Sequence, residues 1–500
     1  TKVKGKDYYP NKKTLVIATE PFATTIAEDQ VSKRSIVDMI KVNKVDVDTV
    51  KIKLTITEDE KNEIVEKAKK YEQVLLFTYN AKMNPTQIDL AYDLSKYIEN
   101  LFVISTRNPY DIQRMKFVKN YYCLYEYTPN SVNTIIKFLK GDLKPVGKLP
   151  ISLNLPVSIG ASVYVGLDDY PLEKNIEYLD LLKSVGVKNV FISGHMPEVN
   201  EKFEYELKTV IDYANKLNLN VILDVSKKMF EKLNIENIYS LRLDYGFNVE
   251  DILNLINEKP YFIELNASSI TKERLEYLRA NGIDLRKLRI SHNFYPKPDT
   301  GLTYARVKEI NEMLFSYGME VMGYIPGKTG KRGPLYQGLP TIESHRDMPL
   351  EVALQELRLL GFNEVIFGDA YITKEELEKA INFDHSIIQI PIQVNKDLSE
   401  TELELLKKVH YRRLDANDLL IRSSSRVTDK VIKPHNTIAR KMFSVTIDNS
   451  LYKRYQGEVA IILKDLPMNE AVNVVGRVIA TPQLLDAIKP GDKFKFIVGD

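Results

Sequence analysis

Eight times between residues 157 and 383 a short apolar run gives way to a polar residue and then to a helical pattern. The runs close at SVYVG (162–166), VFISGH (190–195), VILDVS (221–226), LRLDYG (241–246), FIELNAS (262–268), RISHNF (289–294), VMGYIPG (321–327) and VIFGDA (365–370). Between them lie amphipathic stretches such as PLEKNIEYLDLLKSVG, FEYELKTVIDYANKLN and TYARVKEINEMLFSYG. Strands joined by helices lie parallel, and eight such units are what a closed (β/α)8 TIM barrel requires. The sequence therefore predicts an α/β barrel over 156–384.

Barrel enzymes draw their catalytic groups from the carboxyl ends of the strands. Those ends carry Tyr164, His195, Asp224, Asp244, Glu264, His292 with Asn293, and Asp369. Because side chains alternate along a strand, Arg242 shares a face with Asp244, Glu264 with Asn266, and Asp224 with Ser226. Leu223, Leu243 and Leu265 then face the helices, and several carboxylates converge on one cavity. Paired carboxylates suit glycoside hydrolysis: one protonates the leaving oxygen, and the other faces the oxocarbenium-like centre or activates water. Asp244 and Glu264, on neighbouring strands, are the first candidate pair, with Asp224 in reserve. Each has a structural alternative: Arg242 and Asp244 as a buried ion pair, Asp224 and Asp369 as helix caps, His195 and His292 as satisfied loop histidines. No HxxxH or HxH spacing occurs, so neither metal nor other cofactor is expected.

After the seventh strand comes KTGKRGPLYQGLPTIESHR (328–346), dense in residues that bind or turn. Glycines let backbone N–H groups approach an oxyanion, and an arginine grips phosphate in bidentate fashion. Lys331, Arg332, Gly333 and Arg346 are thus candidate phosphate contacts, and Tyr295 a candidate sugar contact. The competing reading is a solvated basic loop. TGKRG (329–333) echoes a nucleotide loop, but its glycine–lysine pair is followed by Arg332 and not by the Ser or Thr of a GK[ST] ending.

The flanks read as further domains, three in all for 500 residues. Over 1–155, runs such as TLVIAT, QVLLFTYN and LFVIST alternate with helices, predicting a doubly wound α/β sheet. Over 385–500, short strands separated by turns such as KPGD predict a small all-β barrel. Lys plus Arg number 70 against 68 Asp plus Glu, so bulk charge favours no nucleic acid. No apolar run reaches the ~18 residues of a membrane span, which predicts a soluble chain. The single cysteine, Cys123, excludes an internal disulfide and reads as a buried strand residue. Oligomeric state leaves no signal.

Two sets of motifs resemble known families. VISTRNPYD (103–111) and GDLKPVGKLPISL (141–153) resemble the C-terminal domain of family 3 glycoside hydrolases of the NagZ type, exo-β-N-acetylglucosaminidases of cell-wall turnover. In that family the catalytic residues sit in a preceding barrel, so no catalysis is assigned to 1–155. GASVYVG, FISGHMPE, RLDYGF, IELNAS, SHNFYPKPDTGL, KRGPLYQGLPTIESHR and FGDA together resemble the MupG-type 6-phospho-N-acetylmuramidase family over about 157–500. That resemblance implies cytoplasmic cleavage of N-acetylmuramic acid 6-phosphate from N-acetylglucosamine in a disaccharide of peptidoglycan turnover, and a cyclophilin-like C-terminal domain. It does not supply the carboxylate roles, which rest on the strand ends. The alternatives are a non-catalytic binder of phosphorylated sugars, or a sugar-phosphate isomerase or aldolase. The last is disfavoured because no lysine ends a strand.

Overall fold

The computed structural model describes residues 1–20, 34–147, 149, 157–194, 199–233, 236–424 and 430–498. It divides into two units, Thr1–Leu155 with Met313–Met319, and Pro156–Glu312 with Glu320–Asp500.

The first unit is built on β1 (Lys2–Lys4), β2 (Thr14–Thr19), β3 (Asp48–Ile52), β4 (Gln73–Thr78), β5 (Leu101–Ser105) and β6 (Asn120–Cys123), in the order β1-β6-β5-β4-β2-β3. β2, β4, β5 and β6 are buried along their whole length, with an apolar layer on each face. Burial on both faces is why these strands read as continuous apolar runs. The doubly wound parallel sheet gains one antiparallel edge strand, β1, whose three residues KVK are too few to show a period. Cys123 is buried in β6. Of the GKLPISL motif, Lys148 and residues 150–153 lie outside the described residues.

In the second unit a closed barrel is formed by β7 (Ser158–Val163), β8 (Asn189–Ser193), β9 (Asn220–Val225), β10 (Ser240–Leu243), β11 (Phe262–Asn266), β12 (Arg289–Ser291), β13 (Glu320–Ile325) and β14 (Glu364–Phe367). All neighbours pair in parallel, and β14 pairs with β7 to close the ring. Several of the helices that follow these strands have chemically marked starts. Ser226, Asn248, Thr271 and Thr373 accept backbone N–H groups of the first turn, and Asp251 completes a capping box with Asn248.

The chain then forms β15 (Ile388–Val394), β16 (Val409–Tyr411), β17 (Leu420–Arg422), β18 (Ser444–Asp448), β19 (Val459–Ile462), β20 (Val472–Val478) and β21 (Lys493–Val498). Their order is β16-β21-β15-β20-β18-β19-β17, and an Arg412–Ser423 bridge joins the two outer strands, curling the sheet closed around one core. β15 carries Pro391 inside its run, where proline ordinarily marks an edge or a break.

Candidate active site

Parallel pairing places Asp224, Arg242 and Glu264 side by side across β9, β10 and β11. Alternation turns all three inward. Arg242 is the hub, donating from Nη1 to Asp224 Oδ1 at 2.6 Å, from Nε to Ser291 Oγ at 2.7 Å and from Nη2 to Asn293 Oδ1 at 2.6 Å. Asp244 Oδ1 stands 3.7 Å from Arg242 Nη1 and accepts from Asn266 Nδ2 at 3.3 Å. Desolvation opposes the charge on Arg242, yet Asp224, Glu264 and Asp244 more than offset it and raise its pKa. This guanidinium is a fixed cation.

The three carboxylates differ in access. Asp244 keeps 22% of its side-chain surface exposed, Asp224 6%, and Glu264 none. Glu264 is fully occupied from below and beside: Oε2 accepts from Arg289 Nε at 3.1 Å and Oε1 from the Ser291 hydroxyl at 2.6 Å. Arg289 continues to Glu364 Oε2 at 3.1 Å, and Glu364 accepts from Asn189, which is bonded to Asn220. Arg289, Glu364, Asn189 and Asn220 begin their strands, so this network plugs the amino-terminal end of the barrel.

The other side of the interior is aromatic. Phe191, Phe294 and Tyr324 pack edge to face, with centroids 5.1 to 5.9 Å apart. The Arg332 guanidinium lies over Tyr164 at 4.9 Å and Phe294 at 5.6 Å. Tyr324 is fully buried, and its hydroxyl has no hydrogen-bond partner among the described residues. Burial, the largest influence on it, raises its pKa well above that of an ordinary phenol.

The loop after β13 is held by side chains acting on its backbone. Asp369 Oδ2 accepts from Gly327 N at 2.8 Å and Leu339 N at 3.3 Å, and its Oδ1 from Arg332 N at 2.9 Å. Burial still raises its pKa. Arg346 donates to Glu343, to the carbonyls of Gly338 and Gln337, and to those of Tyr295 and Lys297. Gly333 N donates to Tyr170 Oη at 3.3 Å, and Tyr336 Oη to Asp169 at 2.9 Å.

Several residues singled out from the sequence therefore stand elsewhere than at an open mouth. Glu264 is sealed inside the barrel, Asp369 organises the loop, and Arg346 spends its donors on carbonyls and Glu343. Tyr164 is buried, its hydroxyl donating to Gly368 O. His292 faces the helical layer, bonded to Asn311 at 2.8 Å and packed on Phe362, because its neighbours Ser291 and Asn293 take the inward positions. His195 lies outside the described residues. Asp224, Arg242, Asp244, Asn266 and Asn293 do gather in one hydrogen-bonded cluster. Ser291 and Tyr324 were missed, although period-two alternation from Asn293 and from Met322 reaches both. Among the described residues no cluster of metal-ligating side chains is gathered, and no helix is long and apolar enough to cross a membrane.

Residues 159–382 match the N-terminal region of 6-phospho-N-acetylmuramidase and residues 388–497 its C-terminal region. The chain belongs to the 6-phospho-N-acetylmuramidase family. It is a glycoside hydrolase of peptidoglycan recycling, and its substrate is a sugar phosphate. Among solved structures, a conserved Enterococcus faecalis protein of unknown function is 29% identical with a TM-score of 0.55, covering 68% of this chain and 96% of its own. An uncharacterized B. cereus protein is 28% identical with a TM-score of 0.55, covering 69% of this chain and 100% of its own. A family 3 β-N-acetylglucosaminidase from Paenibacillus sp. is 27% identical with a TM-score of 0.28, over 31% of this chain and 30% of its own. No curated protein matches. For a 6-phospho-N-acetylmuramidase the barrel interior offers the expected chemistry: acids beside a fixed arginine, aromatic rings opposite, and a basic loop at the carboxyl ends of the strands.

Proposed function

We propose that the substrate is N-acetylmuramic acid 6-phosphate joined β-1,4 to N-acetylglucosamine, met in the cytoplasm, and that Asp244 and Asp224 act on its glycosidic bond. The observation that carries this is the graded access of the three acids around Arg242. Asp244 retains exposed surface and stands off from the cation, which suits the group that protonates the leaving oxygen. Asp224, in closest contact with Arg242, is the anionic partner facing the oxocarbenium-like centre or its attacking water. Glu264, paired with Asp244 in the sequence reading, fits better as a buried counter-charge 3.8 Å from Arg242.

Lys331 and Arg332 hold the phosphate in this reading. Lys331 has no carboxylate within ion-pair distance among the described residues, and Arg332 is aimed over the aromatic wall. Asn266 and Asn293 present amides for sugar hydroxyls, and Tyr295 and Gly333 line the approach. The domains are taken as 1–155, 156–384 and 385–500, with 1–155 a family 3 C-terminal-type domain that takes no part in the chemistry. The deciding assay is incubation with the disaccharide 6-phosphate: free N-acetylglucosamine should accumulate. Tight binding without release would favour a non-catalytic sugar-phosphate binder.

A further inference from the structure

His345 closes the loop that carries Lys331 and Arg332, and its side chain points away from the barrel mouth. Its Nε2 lies 2.7 Å from Glu356 Oε2, with both side chains fully buried. Glu356 sits on the helix Leu350–Leu359, whose Val352 belongs to the core of the C-terminal β domain. Its other oxygen, Oε1, accepts the hydroxyl of Thr481 from that domain. Thr481 Oγ1 also accepts from Leu484 N at 3.2 Å as the cap of its own helix, so its one proton is committed to Glu356. Alongside, Gln355 exchanges two hydrogen bonds of 2.8 Å with the backbone of Gln389. The next residue after His345 is Arg346, which gathers the carbonyls of Gln337 and Gly338 on one side and of Tyr295 and Lys297 on the other.

We propose that Thr481, Glu356 and His345 form a buried strut through which the C-terminal β domain positions the phosphate-binding loop. They are positioning residues, acting through the loop backbone, and they set affinity for the phosphate and not the bond-breaking step. The physical case is one of stakes. A buried carboxylate with both oxygens bonded is rigid, whereas removing either partner leaves a desolvated oxygen that draws the loop into a new arrangement. The loop's own links to the barrel, through Asp369 and Tyr336, remain when the strut is cut. The loop therefore shifts and does not unfold.

The proposal rests on the reading of Lys331 and Arg332 as the phosphate site, and the experiment separates the two. Thr481→Val, His345→Gln and Thr481→Ser are assayed on the disaccharide with and without its 6-phosphate. Thr481→Val and His345→Gln should raise KM for the phosphorylated substrate about tenfold, with kcat within about twofold. Turnover of the unphosphorylated disaccharide should be unchanged, and Thr481→Ser, which keeps the hydroxyl, should restore the wild-type KM. Equal loss on both substrates, a fall in kcat instead of a rise in KM, or no change overturns the strut. If Thr481→Val does not fold, the near-isosteric Glu356→Gln decides by the same ratio. Arg332→Ala serves as the control: if phosphate preference survives it, the loop assignment has failed, and if preference is lost there but kept in Thr481→Val, only the strut has.

Discussion

Arg242 and Asp224 face each other at 2.6 Å across adjacent strands, with 4% and 6% of their side-chain surfaces exposed. A pair so placed is held by its surroundings as much as by its own attraction, because removing either charge leaves the other desolvated. Arg242→Met should therefore destabilise the second unit by roughly 3 to 5 kcal/mol. Denaturant unfolding monitored by circular dichroism measures this. A loss under about 1 kcal/mol would show that water reaches the site and compensates.

Asp244 is the acid with open surface, so its amide variant tests chemistry with little structural cost. Asp244→Asn should lower kcat by about 10²- to 10⁴-fold with an unchanged melting temperature. Release of N-acetylglucosamine gives the rate, and a variant retaining near wild-type turnover would remove Asp244 from the mechanism.

Arg332→Ala should weaken the phosphorylated disaccharide by about 1.5 to 3 kcal/mol, the range for a hydrogen bond to a charged group, and leave the plain disaccharide alone. Arg346→Ala should behave differently, lowering turnover of both, because its donors hold the loop together. The ratio of kcat/KM on the two substrates distinguishes them.

Burial lowers the His292 pKa from 6.5 to about 4, against the opposing bond to Asn311. A depressed folded-state pKa gives stability that is complete above pH 6.5 and is lost as the pH falls through 4. Between about pH 7 and pH 4 the wild type should lose on the order of 3 kcal/mol more than His292→Gln, which cannot titrate there. Parallel denaturation curves for the two proteins across that window would contradict the assignment.

The barrel was legible because its strands are buried over most of their length and so read as short, mostly apolar runs that stop at a polar residue. The acids of β9, β10 and β11 were legible for a related reason, since a charge ending such a run has nowhere to go but the interior or the rim. Their depth was not. Glu264 and Asp244 look alike in sequence, and only the residues below, Arg289 from β12 and Glu364 from β14, make one a counter-charge and leave the other open. Arg346 could not be told from a phosphate ligand because the carbonyls it holds belong to two loops that meet only in the folded chain. His292 and Asn293 are consecutive just past β12, so only one could point inward, and Asn293 does.

The ion pairs of Glu264, Arg289 and Glu364 close the barrel at its amino-terminal end, so Arg242 and the acids around it are approached from the carboxyl ends of the strands alone. Substrate and products then enter and leave by that one face of the barrel.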